Sequence, residues 1–337
     1  MQIGKKQINN KTTFFVAEEG QANLGDFGYA LKMIDAASET GVDAIEFQLA
    51  YADDFYIKSH EGHKIYKERE FSEFELKELV KYSKDKNIEL IVAPLSVKMI
   101  GVMAKYGCSA FNINASDLVT PDIIDEVVDT GLPFFLSLLF ADENEIEWAI
   151  DRIFKKGSPD FALLLGQHTM GSGDHGLSVE HTNLGYINTL KNKYNIPVGF
   201  IDHTSEIWMP SCAVVAGADI ITKHLAISRE LKGPDWHVCL EPDEMKKAVE
   251  WVRSIKRSIF CVEKRIAPGE NIDKSMMRRS IVSARPIKKG SIINREDICF
   301  KRPGSGIPAN RERDALGKCS STDIEIDQII KLEYLEK

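Results

Sequence analysis

The side chains best suited to chemistry in this 337-residue chain are two histidines, each at the end of an apolar run: His203 in PVGFIDHT (197–204) and His224 in DIITKHLAI (219–227). Neutral imidazole and carboxylate are the ligands borderline divalent cations accept, so two such rings with carboxylates on the same rim could hold a metal. Other polar residues close apolar runs in the same way. They are Glu18 and Glu19, Glu46 and Gln48, Ser96, Asn112, Asn114, Ser116 and Asp117, Ser137, Gln167 and His168, Asp202 and Thr204, and Lys223. The separation of the two histidines fits no local metal motif, and a plain polar cap on a strand would look alike. The remaining histidines are weaker candidates: His168, His175 and His181 lie in or beside a Gly/Ser-rich loop, while His60, His63 and His237 read as solvated. GSGDHG at 171–176 lacks the strand-to-helix setting and the lysine of a P-loop, and reads as a flexible loop.

These residues can meet only if the runs that carry them share one rim. From residue 13 to about 260, short apolar runs alternate with amphipathic segments. The runs lie near 13–20, 44–50, 89–96, 110–116, 133–140, 161–167, 197–204 and 219–227. Between them stand helical patterns such as YALKMIDAASETG and NEIEWAIDRIFKKG, closing on glycine where a helix C-terminus places it, and a final helix opens at Pro242. Buried strands each followed by a helix over this length describe a (β/α)8 TIM barrel, spanning 1–260, with an open doubly wound sheet as the alternative. Barrel enzymes carry their sites at the C-terminal strand ends, which is where the polar residues fall.

The pattern changes after Ile259. Residues 261–276 read as a linker by their Pro, Gly and charges, and 277–337 as a small β-rich domain with a turn at Lys289–Gly290 and a last strand in EIDQIIKLEYLEK. A domain of that size has a marginal core, which favours docking on the barrel or on a partner chain. Composition is that of a folded globular protein, 43% hydrophobic and 28% charged, with net charge −8, so the long-range field opposes nucleic acid and anionic membranes. No apolar run approaches the ~18 residues of a membrane span, and MQIGKKQINNKTTFF lacks a signal-peptide core. The expected location is cytoplasmic. Six cysteines scattered singly favour reduced thiols over a disulfide framework or zinc site.

Several segments taken together, in order along the chain, resemble the sialic acid synthase family, which makes N-acetylneuraminate, legionaminate and pseudaminate and includes spore-coat polysaccharide homologues. They are VAEEG (16–20), EFQ (46–48), VGFIDHT (198–204), KHLAI (223–227), GPDW (233–236), LEP (240–242), RRS (278–280) and KRPGSGIP (301–308). The resemblance implies a (β/α)8 barrel followed by an antifreeze-like SAF domain, swapped onto the partner's barrel in a homodimer. It implies condensation of phosphoenolpyruvate with an open-chain N-acetylmannosamine-like sugar, assisted by a divalent metal, manganese or magnesium. His203 and His224 match the metal ligands and Glu18 an acid/base near the metal-bound water. Asp202, Gln48 and Asp235 match residues that line or support the sugar site, Asp202 being with Glu18 the implied catalytic pair; Asp117, Ser137 and Lys223 fall among the substrate-binding positions. Arg302 matches the arginine that reaches the partner's sugar.

The departures from the family pattern are concentrated. Where the family usually reads KFQ at the second strand, this chain has Glu46; where it reads YKIASGE at the fourth, this chain has FNINASD, with Asn112, Ala115 and Asp117. Ala93 and Ile201 replace an expected threonine and serine, leaving Ser137 of the phosphoenolpyruvate cradle. A charge pair ~4 Å apart is worth about 4 kcal/mol at an effective dielectric near 20, so lysine-to-glutamate beside a multiply charged anion could swing several kcal/mol. Poor phosphoenolpyruvate binding is the expectation, unless cations such as Lys223 or Arg229 refill the cradle. Three functions stay open: a synthase with a remodelled anion site, a metal-assisted sugar or 2-keto acid enzyme that does not use phosphoenolpyruvate, and a non-catalytic sugar-binding member.

Overall fold

Each of the apolar runs forms a strand, because one of its faces packs inside the barrel and the other against the surrounding helices, so that both are buried. In the computed structural model, which describes residues 1–9, 11–157, 159–168 and 176–336, these strands are β3 (Phe14–Glu18), β4 (Ala44–Leu49), β5 (Glu89–Pro94), β6 (Ala110–Ile113), β7 (Phe134–Ser137), β8 (Phe161–Leu165), β9 (Val198–Asp202) and β10 (Ile220–His224). All neighbours are parallel, and β10 pairs with β3 to close the barrel. The open-sheet alternative is thereby excluded.

Alternation along each strand divides the core in two. Phe14 and Val16 of β3, Phe135 of β7, Leu164 of β8 and Ile220 of β10 pack inside the barrel. Phe15, Phe134, Leu163 and Ile221, each one residue away, pack outward against the helices, as does Phe200 beside the inward Ile201. A short hairpin, β1 (Gln2–Ile3) and β2 (Lys6–Gln7), adds Ile3 and Ile8 to the interior group beside Phe14 and so covers the barrel floor. Nothing in the reading of the sequence anticipated this hairpin.

The helices are α1 (Phe27–Thr40), α2 (Ala52–Phe55), α3 (Glu61–Glu68), α4 (Glu73–Asp85), α5 (Val97–Tyr106), α6 (Pro121–Asp129), α7 (Glu143–Lys156), α8 (Tyr186–Tyr194), α9 (Met209–Val215) and α10 (Pro242–Ile259). Their boundaries have local causes. Ser72 with Glu75 and Asp142 with Glu145 form capping boxes at α4 and α7, and Pro242 occupies the first turn of α10, where its missing N–H costs nothing. Gly41 ends α1 in the left-handed region, at φ 82°.

The chain divides into two units, Met1–Cys261 and Val262–Lys337. In the second, β11 (Ser280–Ser283) and β12 (Ile298–Lys301) pair antiparallel over a core of Ile281, Ile287, Ile293, Ile298, Ile307, Ile324 and Ile330. Gly290, at φ 79°, makes the expected turn. Two expectations need correction. The stretch 261–276 is not all linker, since α11 (Glu270–Met277) starts behind Pro268 and Gly269 and its Ser275 carbonyl accepts from Gly304 N at 2.7 Å within the second unit. The last segment forms isolated bridges at Ile324 and Ile329 and a 3-10 turn at Leu332–Tyr334 in place of a full strand.

Inside the barrel, Gly199 leaves no room for a side chain: a Cβ there would lie 2.6 Å from both Ile220 Cβ and Leu164 Cδ2 and 2.8 Å from Ile220 O. Gly199→Ala is expected to lower stability by about 1–3 kcal/mol through overpacking. Urea denaturation of the two proteins checks this, and equal midpoints would contradict it.

Candidate active site

The register of β10 assembles the site. His224 lies opposite Glu18 on β3, and Glu18 lies opposite Glu46 on β4. His203, one residue beyond β9, stands beside His224, with the two Nε2 atoms 3.3 Å apart. Glu18 Oε2 is 3.7 Å from His224 Nε2, and its other oxygen accepts a hydrogen bond from Gln48 Nε2 at 2.8 Å. Gly20, at φ +56°, makes room for the ring, for a Cβ there would stand 2.8 Å from His224 Nδ1. Burial, followed by the neighbouring His224 and His168, pushes the His203 imidazole well below its usual pKa, which favours the neutral, ligating form.

Together these groups face a cavity of about 200 Å³ at the C-terminal mouth of the barrel. Asn112, Asn114, Ser137, His168, Ile201, Phe140 and Asp235 complete most of its wall. His168, by sequence a strand-end residue but one of the weaker histidine candidates, belongs to the site: its ring stands edge-on to His203 with centroids 4.7 Å apart, and its Nε2 is 3.6 Å from Asp235 Oδ1. Hydrogen bonding with that imidazole is the main reason the Asp235 carboxyl is held well below the usual range, against the burial that would raise it. Its position at the end of the sixth apolar run was the available signal. His175 and nearly all of GSGDHG lie outside the described residues. His63, expected to be solvated, is partly covered and bonds Asp53 at 3.0 Å.

Three expected site residues, the catalytic candidate Asp202 and the substrate-binding candidates Lys223 and Asp117, lie away from the mouth. Asp202 and Lys223 are fully buried and pair with each other at 2.9 Å, and Lys223 also donates to the Thr204 carbonyl. Neither lines the mouth. The reason is the two-residue period of a strand: His203 and His224 face inward, so the residues just before them face the helix layer. Asp117 is likewise absent from the wall, and its carboxylate accepts from Ser116 Oγ and Thr120 Oγ1 at the short 3-10 turn Ala115–Asp117. Arg302 is exposed in the second unit.

Beneath the mouth runs a buried chain of hydrogen bonds. Ser137 Oγ donates to Asn112 Oδ1 at 2.9 Å, and Asn112 Nδ2 donates to Glu46 Oε1 at 2.8 Å. Glu46 is fully buried, and its Oε2 has no partner among the described residues. Burial, reinforced by the charge of Glu18, raises its pKa well above the ordinary value of 4.5, so the neutral acid is favoured. This corrects the electrostatic expectation: the exchange of lysine for Glu46 removes attraction for an anion more than it adds repulsion. The candidate replacements do not refill the cradle, since Lys223 is bound to Asp202, and Arg229 is held by Glu244 at 2.8 Å and Glu241 at 3.9 Å. Among the described residues no lysine or arginine lines the mouth.

Two imidazole nitrogens on one ion, each ~2.1 Å from it at roughly tetrahedral angles, are ~3.4 Å apart. The His203–His224 spacing of 3.3 Å fits that requirement. Among the described residues no group of three or more His, Cys, Asp or Glu is gathered tightly enough to hold a metal. The Nδ1 atoms of both rings also lack the second-shell partner common in metal sites. The spacing of the two rings is thus the one feature of the site that fits a bound cation.

A closed barrel with histidines, carboxylates and amides converging at its C-terminal mouth has the plan of a small-molecule enzyme. Comparison with known proteins agrees: the NeuB family matches residues 33–264 and the SAF domain residues 278–336. An uncharacterized protein of Methanocaldococcus jannaschii is 35% identical, over 98% of this chain and 97% of its own. The N,N'-diacetyllegionaminic acid synthase of Legionella pneumophila is 27% identical, over 98% of this chain and 97% of its own. Among solved structures, the N-acetylneuraminic acid synthetase of Leptospira borgpetersenii, in complex with citrate, superposes with a TM-score of 0.73 at 31% identity, covering 81% of this chain and 94% of that one. The chain belongs to the NeuB family and carries a SAF domain after its barrel.

Two measurements probe the buried groups. Glu46 has a folded pKa above its unfolded one, so its contribution favours folding at low pH and is lost as pH rises from about 4.5 through the folded value. Glu46→Gln should therefore raise the thermal midpoint more at about pH 8 than at about pH 5; a gain independent of pH would show that the acid is charged in the fold. Lys223→Met strands the Asp202 carboxylate in the interior and should cost about 3–5 kcal/mol in chemical denaturation, whereas a loss below about 1 kcal/mol would mean that water reaches the pair.

Proposed function

We propose that this protein is a metal-assisted enzyme of carbohydrate biosynthesis that acts at the carbonyl of an open-chain amino sugar or related 2-keto acid and binds phosphoenolpyruvate weakly. The observation that carries this reading is the convergence of His203 and His224 beside Glu18, in a mouth whose described wall contains no lysine or arginine. His203 and His224 would hold the divalent cation, manganese or magnesium, whose contribution is Lewis acidity toward a carbonyl oxygen. Glu18, oriented by Gln48, is placed to take or return a proton at the oxygen where charge develops. Asp235, with His168 beside it, accepts hydrogen bonds from sugar hydroxyls, and the amides of Asn112 and Asn114 offer neutral donors where an anionic substrate would want cations.

Asp202 and Lys223 act from behind the wall: their pair, together with Thr204 N donating to Asp202 Oδ1 at 2.8 Å, fixes the turn that follows β9 and thereby His203. In the same reading Arg302 belongs to a SAF domain that serves the partner's mouth in a swapped homodimer. A second reading keeps the condensation of phosphoenolpyruvate with an N-acetylmannosamine-like sugar. It is favoured by the near full-length similarity to the Legionella synthase.

Calorimetry and metal analysis separate the two. The expected result is manganese bound to the wild type and lost in His203→Ala with an unchanged circular dichroism spectrum, and no micromolar binding of phosphoenolpyruvate in the presence of Mn²⁺. Unchanged metal content in the variant would refute the two-ring assignment. Micromolar binding with phosphate release from an N-acetylated hexosamine would establish the second reading.

A further inference from the structure

The largest cavity among those described opens at the opposite end of the barrel from the catalytic mouth. It has a volume of about 490 Å³ and lies between the floor hairpin and the C-terminal turns of α10. Its wall is cationic, with Lys5, Lys6 and Lys11 from the N-terminal segment and Arg253, Lys256 and Arg257 from α10. Among the described residues the only carboxylate lining it is Asp43, which divides itself between Lys6 and Arg253, each at 3.4 Å, and also accepts from Phe15 N at 2.9 Å. Asp219 stands 3.8 Å from Lys256 but is held more tightly by Lys191, at 2.8 Å. Lys5, Lys11 and Arg257 have no carboxylate partner among the described residues.

Were this only a stabilising ion-pair network, acids would balance the bases, and here they do not. The excess is notable in a chain of net charge −8. A second observation concerns the same wall. Thr13 lines the cavity and is 5% exposed, and its hydroxyl has no hydrogen-bond partner among the described residues. A buried hydroxyl without a partner costs stability unless something arrives to bond it. Burial also pushes the Lys256 ammonium below its usual pKa, a strain that a bound anion would relieve.

We infer that this floor cavity is a binding site for a small organic polyanion of the phosphate class, such as a nucleotide or a sugar phosphate. A concave pocket of this volume suits a compact ligand better than a polymer, for which a flat stripe would serve, and the overall negative charge opposes long polyanions. Lys5, Lys6, Lys11 and Arg257 surround the phosphate groups, Arg253 and Lys256 supply charge from the helix, and Thr13 Oγ1 donates to an anionic oxygen. The inner barrel layer of Phe14, Phe135, Leu164 and Ile220 lies above it, so the site is separate from the mouth.

Calorimetric titration of the full chain tests this, at about 150 mM salt and with EDTA present so that metal at the mouth plays no part. The probes are ATP, inorganic tripolyphosphate and a short single-stranded oligonucleotide. ATP and tripolyphosphate should each bind one saturable site. Affinity should fall at least about tenfold in the double variant Lys11→Glu/Arg257→Glu, whose side chains are at the surface. Thr13→Val, which keeps shape and burial, should also weaken binding, while His203→Ala should not alter it. The inference is overturned if the wild type shows no saturable binding, if the double variant with an unchanged circular dichroism spectrum binds equally well, if His203→Ala abolishes binding, or if the oligonucleotide binds more tightly than tripolyphosphate.

Discussion

Everything at the barrel mouth depends on the register with which β10 enters between β9 and β3. That pairing sets His224 against Glu18 and Lys223 against Asp202 in a single step. Because side chains alternate, it assigns the imidazoles to the cavity and the ion pair to the helix layer. A slip of one residue would exchange them, burying rings among Leu and Ile side chains and sending the salt bridge into the mouth. Phe200 and Ile221, anchored outward in the main core, and Ile220, anchored inward, oppose that slip.

The mouth also shows how a protein can alter the charge of a site without leaving an open electrostatic debt. A glutamate stands where the family usually has a lysine, yet it is buried beneath Asn112 and favours its neutral form. The result is a wall of amides, hydroxyls and imidazoles. Such a wall can bind hydroxyl-rich, weakly charged molecules through directed hydrogen bonds, which punish a wrong partner more than they reward a right one. Charge is concentrated instead in Glu18 and Asp235, beside the rings.

Much of this was legible in the sequence because barrel strands are announced by continuous apolar runs and end in polar residues. All eight strands of the barrel stand where the runs predict them, and Glu18, Gln48, Ser137, Asp235, His203 and His224 meet at one cavity. What failed was resolution within a run. Asp202 and His203 are adjacent letters with opposite destinations, and a list of polar strand ends does not distinguish them. The state of Glu46 could not be read either, since a pKa depends on surroundings contributed by β3 and β6. His168 was underrated because of its loop neighbours, although its place at a strand end mattered more. The floor hairpin escaped notice because strands of two residues leave no periodic pattern.

The glycine behind His224 has a wider consequence for how this pocket could be reshaped. At Gly20 any added atom would strike the ring, and the backbone there is one that larger residues seldom adopt. That side of the rim is closed to variation. Reshaping the pocket for a bulkier or slimmer ligand must therefore work from other parts of the wall, such as Phe140, which is 67% exposed. The part of the rim with room to vary and the paired rings of His203 and His224 thus lie at the ends of different strands, and the former can drift while the latter stay in place.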